Sequence, residues 1–405
     1  MIKNKELAIG SAFLVGGQII QAVVGFGVNL VLVRYLAPEE FGRFAITLAG
    51  AALAYSVLSL RTETMVIRAP ADQLTEAAKD RYFGVALIET VLTTIVILIW
   101  VFTSASYGNW EVGLTLALGL RHWTIQNKAF FERKMPYRKI ALAETIVTVT
   151  SHFVALGLIL LGVGSTVLYI REIFSSITGV IGLWIIGGLS PRKFKHPSFD
   201  DWQLLFKEAR GMWLDSALEN GLARLTVLFV GLLGGDRAAG FFFQALRLAH
   251  LPQQVLSPLV GRVAGTWFGQ TEDREARRVG RDKLLLAIAA PLALGSGLTV
   301  AFSDLVIPWM LGEEWARTAE LMVGLSGFIF FLSLFEVLKS YCWFARHMRW
   351  MLVGRVFQYI GFAIPVYATL TNFIAGDMAM AVGQSVAYGL AFTVLLILLK
   401  KSENY

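Results

Sequence analysis

Apolar stretches of about 20 residues recur along this chain from one end to the other, each long enough to cross roughly 30 Å of hydrocarbon. That recurrence constrains the fold more than any other feature: it is the pattern of a polytopic membrane protein. Charge usage agrees. Hydrophobic residues make up 56% of the 405 positions and charged ones 16%, against about 25% charged in a soluble domain. A single cysteine, Cys342, excludes an internal disulfide and a thiolate metal cluster.

The spacing predicts about twelve membrane helices, near 7–33, 44–66, 82–103, 110–128, 140–162, 166–189, 212–234, 238–264, 284–303, 318–338, 350–372 and 376–399. The start, MIKNKELAIGSAFLVGG, is basic like a signal peptide. Its apolar run reaches about Val33, too long for a signal core, and no small-residue cleavage site follows, so it reads as a retained first helix. With the N-terminus in the cytoplasm, 26 of the 36 Lys and Arg fall on inner connections and six inside helices. Only Arg34, Arg43, Arg237 and Arg317 fall outside. Cytoplasmic loops collect Lys and Arg, so this split supports the helix count and places both termini in the cytoplasm. It also accounts for the net charge of +7 without nucleic acid as a partner.

Between helices six and seven lies SPRKFKHPSFDD, residues 190–201. It divides the chain into an N-lobe, 1–189, a linker, 190–211, and a C-lobe, 212–405, with six helices in each lobe. In the linker, Trp202, Leu205, Phe206, Ala209 and Trp213 share one helical face, opposite Gln203, Lys207 and Arg210. The segment is either a helix lying in the cytoplasmic interface or the start of helix seven. TEDREARRVGRDK, 271–283, reads as a solvated inner loop, with a lipid-headgroup role open.

One corner has an echo. In NLVLVRYLAPEEFGRFA, Asn29–Ala45, an apolar run ends at Arg34, turns through Ala37-Pro38-Glu39-Glu40 and restarts at Phe41-Gly42. Pro38 biases Ala37 away from helical angles, and Gly42 lets two helices approach closely. RLTVLFVGLLGGDRAAGFFFQA, Arg224–Ala245, repeats that outline with a one-residue gap. The two turns follow helices one and seven, as in a parallel duplication of six helices, an arrangement in which transporters bind substrate between the halves.

The chain has no GxxxxGK[ST], HExxH or GxSxG motif. Its five histidines, at 122, 152, 196, 250 and 347, are scattered and read as polar helix or loop residues. What it has instead is charge inside helices: Arg121, Arg171, Arg224, Arg247, Arg262 and Arg355, with Glu89, Glu144, Glu172, Asp215, Glu219 and Glu336. A charge near the bilayer centre costs on the order of 2.5–3.5 kcal/mol, so such groups face a partner or a water-filled cavity. Arg171, Arg262 and Arg355 lie near helix ends, where they can either snorkel to the interface or serve as structural pairs. Arg121, Arg224 and Arg247 sit deeper. Helix eight carries Gln244, Arg247, Leu251 and Gln254 as a stripe bent by Pro252 and Pro258. Asp215 and Glu219, Gln384 and Tyr388, and Gln18 and Gln21 add polar pairs. Together these outline either a net-cationic cavity between two lobes or a set of mutual pairs that glue helices. Arginine suits phosphate because its planar fork donates two hydrogen bonds and keeps its charge when desolvated.

The chain resembles the bacterial oligosaccharide flippases, the Wzx-like polysaccharide-export branch of the MATE-related superfamily. The likeness is carried by Leu32–Gly42, by Leu60–Ile67 (LRTETMVI), by Leu233–Gly240 followed by Phe242, Ala245, Arg247, Leu251 and Pro252, and by Leu311–Trp315 (LGEEW). The resemblance implies an all-α, MATE-like integral membrane fold of two pseudo-symmetric six-helix bundles in the bacterial cytoplasmic membrane. It implies a polyprenyl-diphosphate-linked oligosaccharide carried from the inner to the outer leaflet by alternating access. Many relatives have longer tails or two extra helices, which leaves an accessory-helix lipid groove without support here.

On this reading the protein is a carrier, not an enzyme, with no cofactor and no metal. Arg121, Arg224 and Arg247 hold the diphosphate. Gln244, Gln254, Gln384 and Tyr388 meet sugar hydroxyls. Glu89, Glu144, Asp215 and Glu219 carry a coupling proton or balance the arginines. The partners are the lipid-linked oligosaccharide, membrane lipids, a polysaccharide polymerase and glycosyltransferases. Two alternatives differ in kind. A small-molecule exporter on the same fold would want an acid-dominated cavity, and a membrane polymerase or ligase would want large outer loops. A periplasm-active reporter fused after Gly108 or Gly164 is expected to be active at both places; an inactive fusion at either refutes the topology.

Overall fold

The computed structural model describes residues 4–69, 74–104, 108–133, 136–189, 194–258, 260, 267–268, 271, 273–344, 347–371 and 375–403. Arg262 and positions 190–193 of the predicted linker lie outside these. Among the described residues the chain is helical, with no strand. The helices are α1 (Asn4–Tyr35), α2 (Pro38–Leu58), α3 (Thr62–Arg68), α4 (Glu76–Thr103), α5 (Asn109–Glu132), α6 (Tyr137–Leu160) and α7 (Thr166–Ile185). They continue as α8 (Phe199–Ala249), α9 (Leu251–Pro258), α10 (Arg274–Leu311), α11 (Ala316–Gly324), α12 (Ser326–Phe344), α13 (Met348–Leu370) and α14 (Gly376–Glu403).

Among the described residues nine helices are long and apolar enough to cross a membrane, and ten spans result when the pair bent by 51° around Leu325 counts as one. The 24-residue α5 follows the predicted fourth span but is more polar. The 37 residues from Trp213 to Ala249 cover the predicted 212–234 and the first part of the predicted 238–264, parted at Gly235, where φ is 73° and ψ −174°. The helices follow the predicted order, and the protein is a multi-pass membrane protein.

The structure selects one open alternative and changes two expectations about local elements. Residues 202–212 are the first turns of α8, the second of the two readings. Ser198 caps it: the Ser198 backbone N–H and hydroxyl both donate to the Asp201 carboxylate at 2.9 Å, and the Asp201 N–H returns to the Ser198 hydroxyl at 3.2 Å. The backbone bond, first among these contacts, holds the Asp201 carboxyl below its usual range. The acidic-basic stretch 273–283 is helix rather than loop. Asp273 caps α10 by accepting from the Glu275 N–H, and Glu275 pairs with Arg278 one turn on. Last, the predicted second helix breaks at Ser59-Leu60-Arg61 into α2 and α3, with Arg61 left-handed at φ 61°.

The chain forms two compact units: Met1–Leu36 with Thr47–Leu225, and Ala37–Ile46 with Thr226–Tyr405. Unit 1 buries Leu60, Met65, Val85, Leu205 and Ala209 in one cluster, with Tyr82, Trp202 and Trp213 packed against it. Of the apolar face predicted for 202–213, Trp202, Leu205, Ala209 and Trp213 thus lie on protein while Phe206 stays exposed, and the Trp213 indole donates to the Val57 carbonyl at 2.8 Å.

In unit 2 the two echoing corners meet. A Cβ at Gly42 would collide with the Asp236 carbonyl, and one at Gly240 with the Pro38 carbonyl. The contact is reciprocal, and only glycine fits either position. Around it, Trp315 of the LGEEW segment is buried against the ring edges of Phe41, at 5.6 Å, and Phe241, at 5.8 Å. Arg237 pairs with Glu39 at 3.3 Å and lies over Phe241. Elsewhere in unit 2, the fully buried Arg281 is held by Asp282, Glu403 and the Tyr341 face, and the equally buried Arg355 by Gln358 and the Phe335 face.

Gly42→Ala or Gly240→Ala is expected to lower the thermal unfolding midpoint of the detergent-purified protein, through an overpacking cost of about 1–3 kcal/mol. Gly27→Ala, where an added Cβ meets nothing within 4 Å, is expected to leave the midpoint unchanged or slightly raised.

Candidate functional site

A helix face spaced i, i+3, i+4, i+7 builds one wall of a cavity in unit 1: Arg121, Thr124, Ile125 and Lys128 of α5. The cavity holds about 330 Å³. Gln21 of α1, Glu144, Val147 and Thr148 of α6, and Ser175, Ser176 and Gly179 of α7 close it, with Ile140, Leu183 and Ile186 as its apolar side. Gln21 is fixed by two bonds: its amide donates to Thr145 at 3.2 Å, and Thr148 donates to its carbonyl at 3.2 Å.

The two cations on this wall are held differently. Lys128 lies between two carboxylates, Glu144 at 2.7 Å and Glu132 at 3.2 Å. Arg121 reaches Glu172 at 3.5 Å, a carboxylate that also accepts from Arg171 at 2.7 Å. The Arg121 side chain stays 58% exposed. Arg224 of α8 lies in the same unit and is half-buried. Arg121 thus presents its guanidinium at the cavity with one long, shared contact to a carboxylate. A guanidinium so placed can take an added anion through two parallel hydrogen bonds.

The other predicted site residues are dispersed. Glu89 is buried, and its Oε1 accepts the Leu60 N–H at 3.0 Å, in the break between α2 and α3. Beside it, Thr62 donates to Gln126, which donates to Glu63 at 2.9 Å. Asp215 is buried and Glu219 half-buried, both engaged with neighbours. In unit 2, Gln244 is fully buried and Gln384 donates to Thr226 at 2.6 Å. The Tyr388 ring packs on Phe328 and Phe335. Arg247 is half-buried and engaged, and Gln254, on α9, is exposed. Lys128, Thr124, Glu132 and Ser175 were not expected at a site. The i, i+3, i+4, i+7 stripe along α5 was the signal for the first two, obscured because Lys128 counts as an inner-loop charge.

A sequence profile described as a polysaccharide biosynthesis protein matches residues 31–320. No curated protein matches the chain. Among solved structures, it is similar to lipid II flippase MurJ in an inward closed conformation, with a TM-score of 0.73 at 13% identity over 97% of this chain and 87% of that one. It is also similar to a multidrug resistance MATE family transporter of the MOP superfamily in an inward-facing conformation, with a TM-score of 0.69 at 13% identity over 97% and 98%. A eukaryotic MATE transporter, AtDTX14, gives 0.66 at 13% identity over 97% and 95%. At such identity the likeness is one of fold, and the fold is that of these membrane proteins.

Glu89→Leu is expected to destabilise the protein by about 1–3 kcal/mol, because the Leu60 N–H loses its acceptor in a buried place. Glu89→Gln, which keeps an acceptor oxygen, is expected to cost much less. Thermal unfolding of both purified variants checks the difference.

Proposed function

Because the chain belongs to the polysaccharide biosynthesis family, we propose that it carries a polyprenyl-diphosphate-linked oligosaccharide from the inner to the outer leaflet of the bacterial cytoplasmic membrane by alternating access. The observation that supports this most directly is Arg121, which lines a polar cavity with its side chain 58% exposed and one 3.5 Å contact to the Glu172 carboxylate. Such a guanidinium suits a diphosphate, which accepts a bidentate bond from it, and we assign Arg224 of the same unit to the same ligand. Glu172 and Glu144 offset the cations while no ligand is bound. Within unit 2, Arg247 and Gln254 are the predicted contacts with half-buried or exposed side chains, and we assign them secondary roles in holding substrate.

No bond is made or broken in this process. The cavity lowers the cost of taking an anionic headgroup through hydrocarbon, and the membrane potential favours outward movement of negative charge by about 2.3 kcal/mol per charge per 100 mV. Export of organic cations on the same fold is disfavoured by these arginines, which repel them. Both termini are cytoplasmic on this reading, so the Lys- and Arg-rich connections face the anionic inner leaflet.

In a strain whose only copy carries Arg121→Ala or Arg224→Ala, surface polymer is expected to fall at least tenfold, given roughly 1.5–3 kcal/mol per charge-assisted bond. Lipid-linked repeat units should accumulate on the inner side, and the protein should remain in the membrane at normal amount. Normal export in both strains refutes the assignment. Repeat units found outside but unpolymerised would favour a polymerase instead.

A further inference from the structure

If the chain is a flippase of this kind, the cavity of unit 1 also indicates what it prefers to carry. The cavity is electrically lopsided. At one end Arg121 shares the Glu172 carboxylate with Arg171, which leaves two cations to one acid. At the other, Lys128 is outnumbered by Glu132 and Glu144. Arg121 and Lys128 are two turns apart on α5, so the ends are separated by roughly 10.5 Å along the helix axis. Between them stand uncharged hydrogen-bonding groups, among them Gln21, Thr124 and Thr148.

We propose that the Lys128–Glu132–Glu144 end receives the sugar next to the diphosphate and selects uncharged or amino sugars against uronates. The phosphates take the Arg121 end. The next ring then lies against Glu144, whose side chain is 43% exposed. A carboxylate only accepts hydrogen bonds, so it takes sugar hydroxyls, an N-acyl N–H or an ammonium group. Lys128 is already occupied by two acids and has no charge to spare for a uronate, which meets a net negative end. Specificity thus arises from repulsion of the wrong sugar as much as from bonds to the right one. The 330 Å³ volume is near the lower bound for small-molecule pockets, so it takes the first sugars and leaves the remainder of the oligosaccharide outside.

The test uses full-length protein in lipid nanodiscs and three probes: farnesyl diphosphate, its N-acetylglucosaminyl conjugate and its glucuronyl conjugate. The wild type is expected to bind the N-acetylglucosaminyl conjugate about tenfold more tightly than farnesyl diphosphate, and the glucuronyl conjugate no more tightly. Glu144→Gln should remove most of that preference. Glu132→Gln, which leaves the cavity lining intact, should raise glucuronyl affinity severalfold. Equal binding of the three probes by the wild type overturns the proposal while leaving the flippase assignment standing. So does a preference that survives both substitutions. Failure of the wild type to bind farnesyl diphosphate at all overturns the flippase assignment and this proposal together.

Discussion

Two absent side chains set the geometry of unit 2. Gly42 and Gly240 each lie against a carbonyl of the opposite segment, so the two corners meet backbone to backbone. Close approach of this kind suits a membrane protein, where helices gain by packing and polar contact and not by exclusion from water. The aromatic neighbours depend on it. Phe41 and Phe241, one from each corner, present ring edges to the same Trp315. The glycine contact brings Ala37–Ile46 into unit 2, although the residues on either side of it in sequence belong to unit 1.

The intramembrane charges sort by the company they keep. Arg281 and Arg355 are fully buried and each combines hydrogen-bonded acceptors with an aromatic face, an arrangement that offsets the cost of burying charge. Lys128 is held by two acids. Arg121 stands apart from these: its side chain is more than half exposed, and the Glu172 carboxylate it reaches at 3.5 Å is shared with Arg171. The same rule that explains the first group, that buried charge needs a partner, marks Arg121 as a place for a ligand.

Much of the fold was legible in the sequence because hydropathy over about 20 residues reports a physical length, the thickness of hydrocarbon. Of the four segments that carry the family resemblance, three supply residues to one packed knot: Pro38, Phe41 and Gly42, then Asp236 and Gly240, then Trp315. The breaks were harder. Gly235 lies in a visible GGDR turn, yet the helix before it begins with Ser198 capping, a local bond that hydropathy averages away. The acidic-basic start of α10 looked like loop because charge was taken as a sign of solvent, when Asp273 and the Glu275–Arg278 pair are helix-forming features. At the site, Arg121, Arg224 and Glu144 were named from charge in apolar surroundings. Lys128 and Thr124 share the Arg121 face of the predicted helix 110–128, but Lys128, at its inner end, counts as an inner-side charge and Thr124 carries no charge to draw attention. Glu89 was named for proton coupling or charge balance, and its position shows an acceptor for a backbone amide.

That last feature reaches beyond this chain. The gap between α2 and α3 contains neither proline nor glycine, and Arg61 adopts a left-handed conformation that its own residue type disfavours. The interruption is supported from another helix, by an oxygen of Glu89. Part of its support is local, the Ser59 hydroxyl that accepts the Arg61 N–H at 3.3 Å, and part lies 29 positions away. Drift at Leu60 is therefore compatible with the same backbone path, provided an acceptor persists on α4. In a comparison across relatives, the informative column for this kink is the one at Glu89, and alignment gaps or helix-breaker counts around Leu60 would miss it.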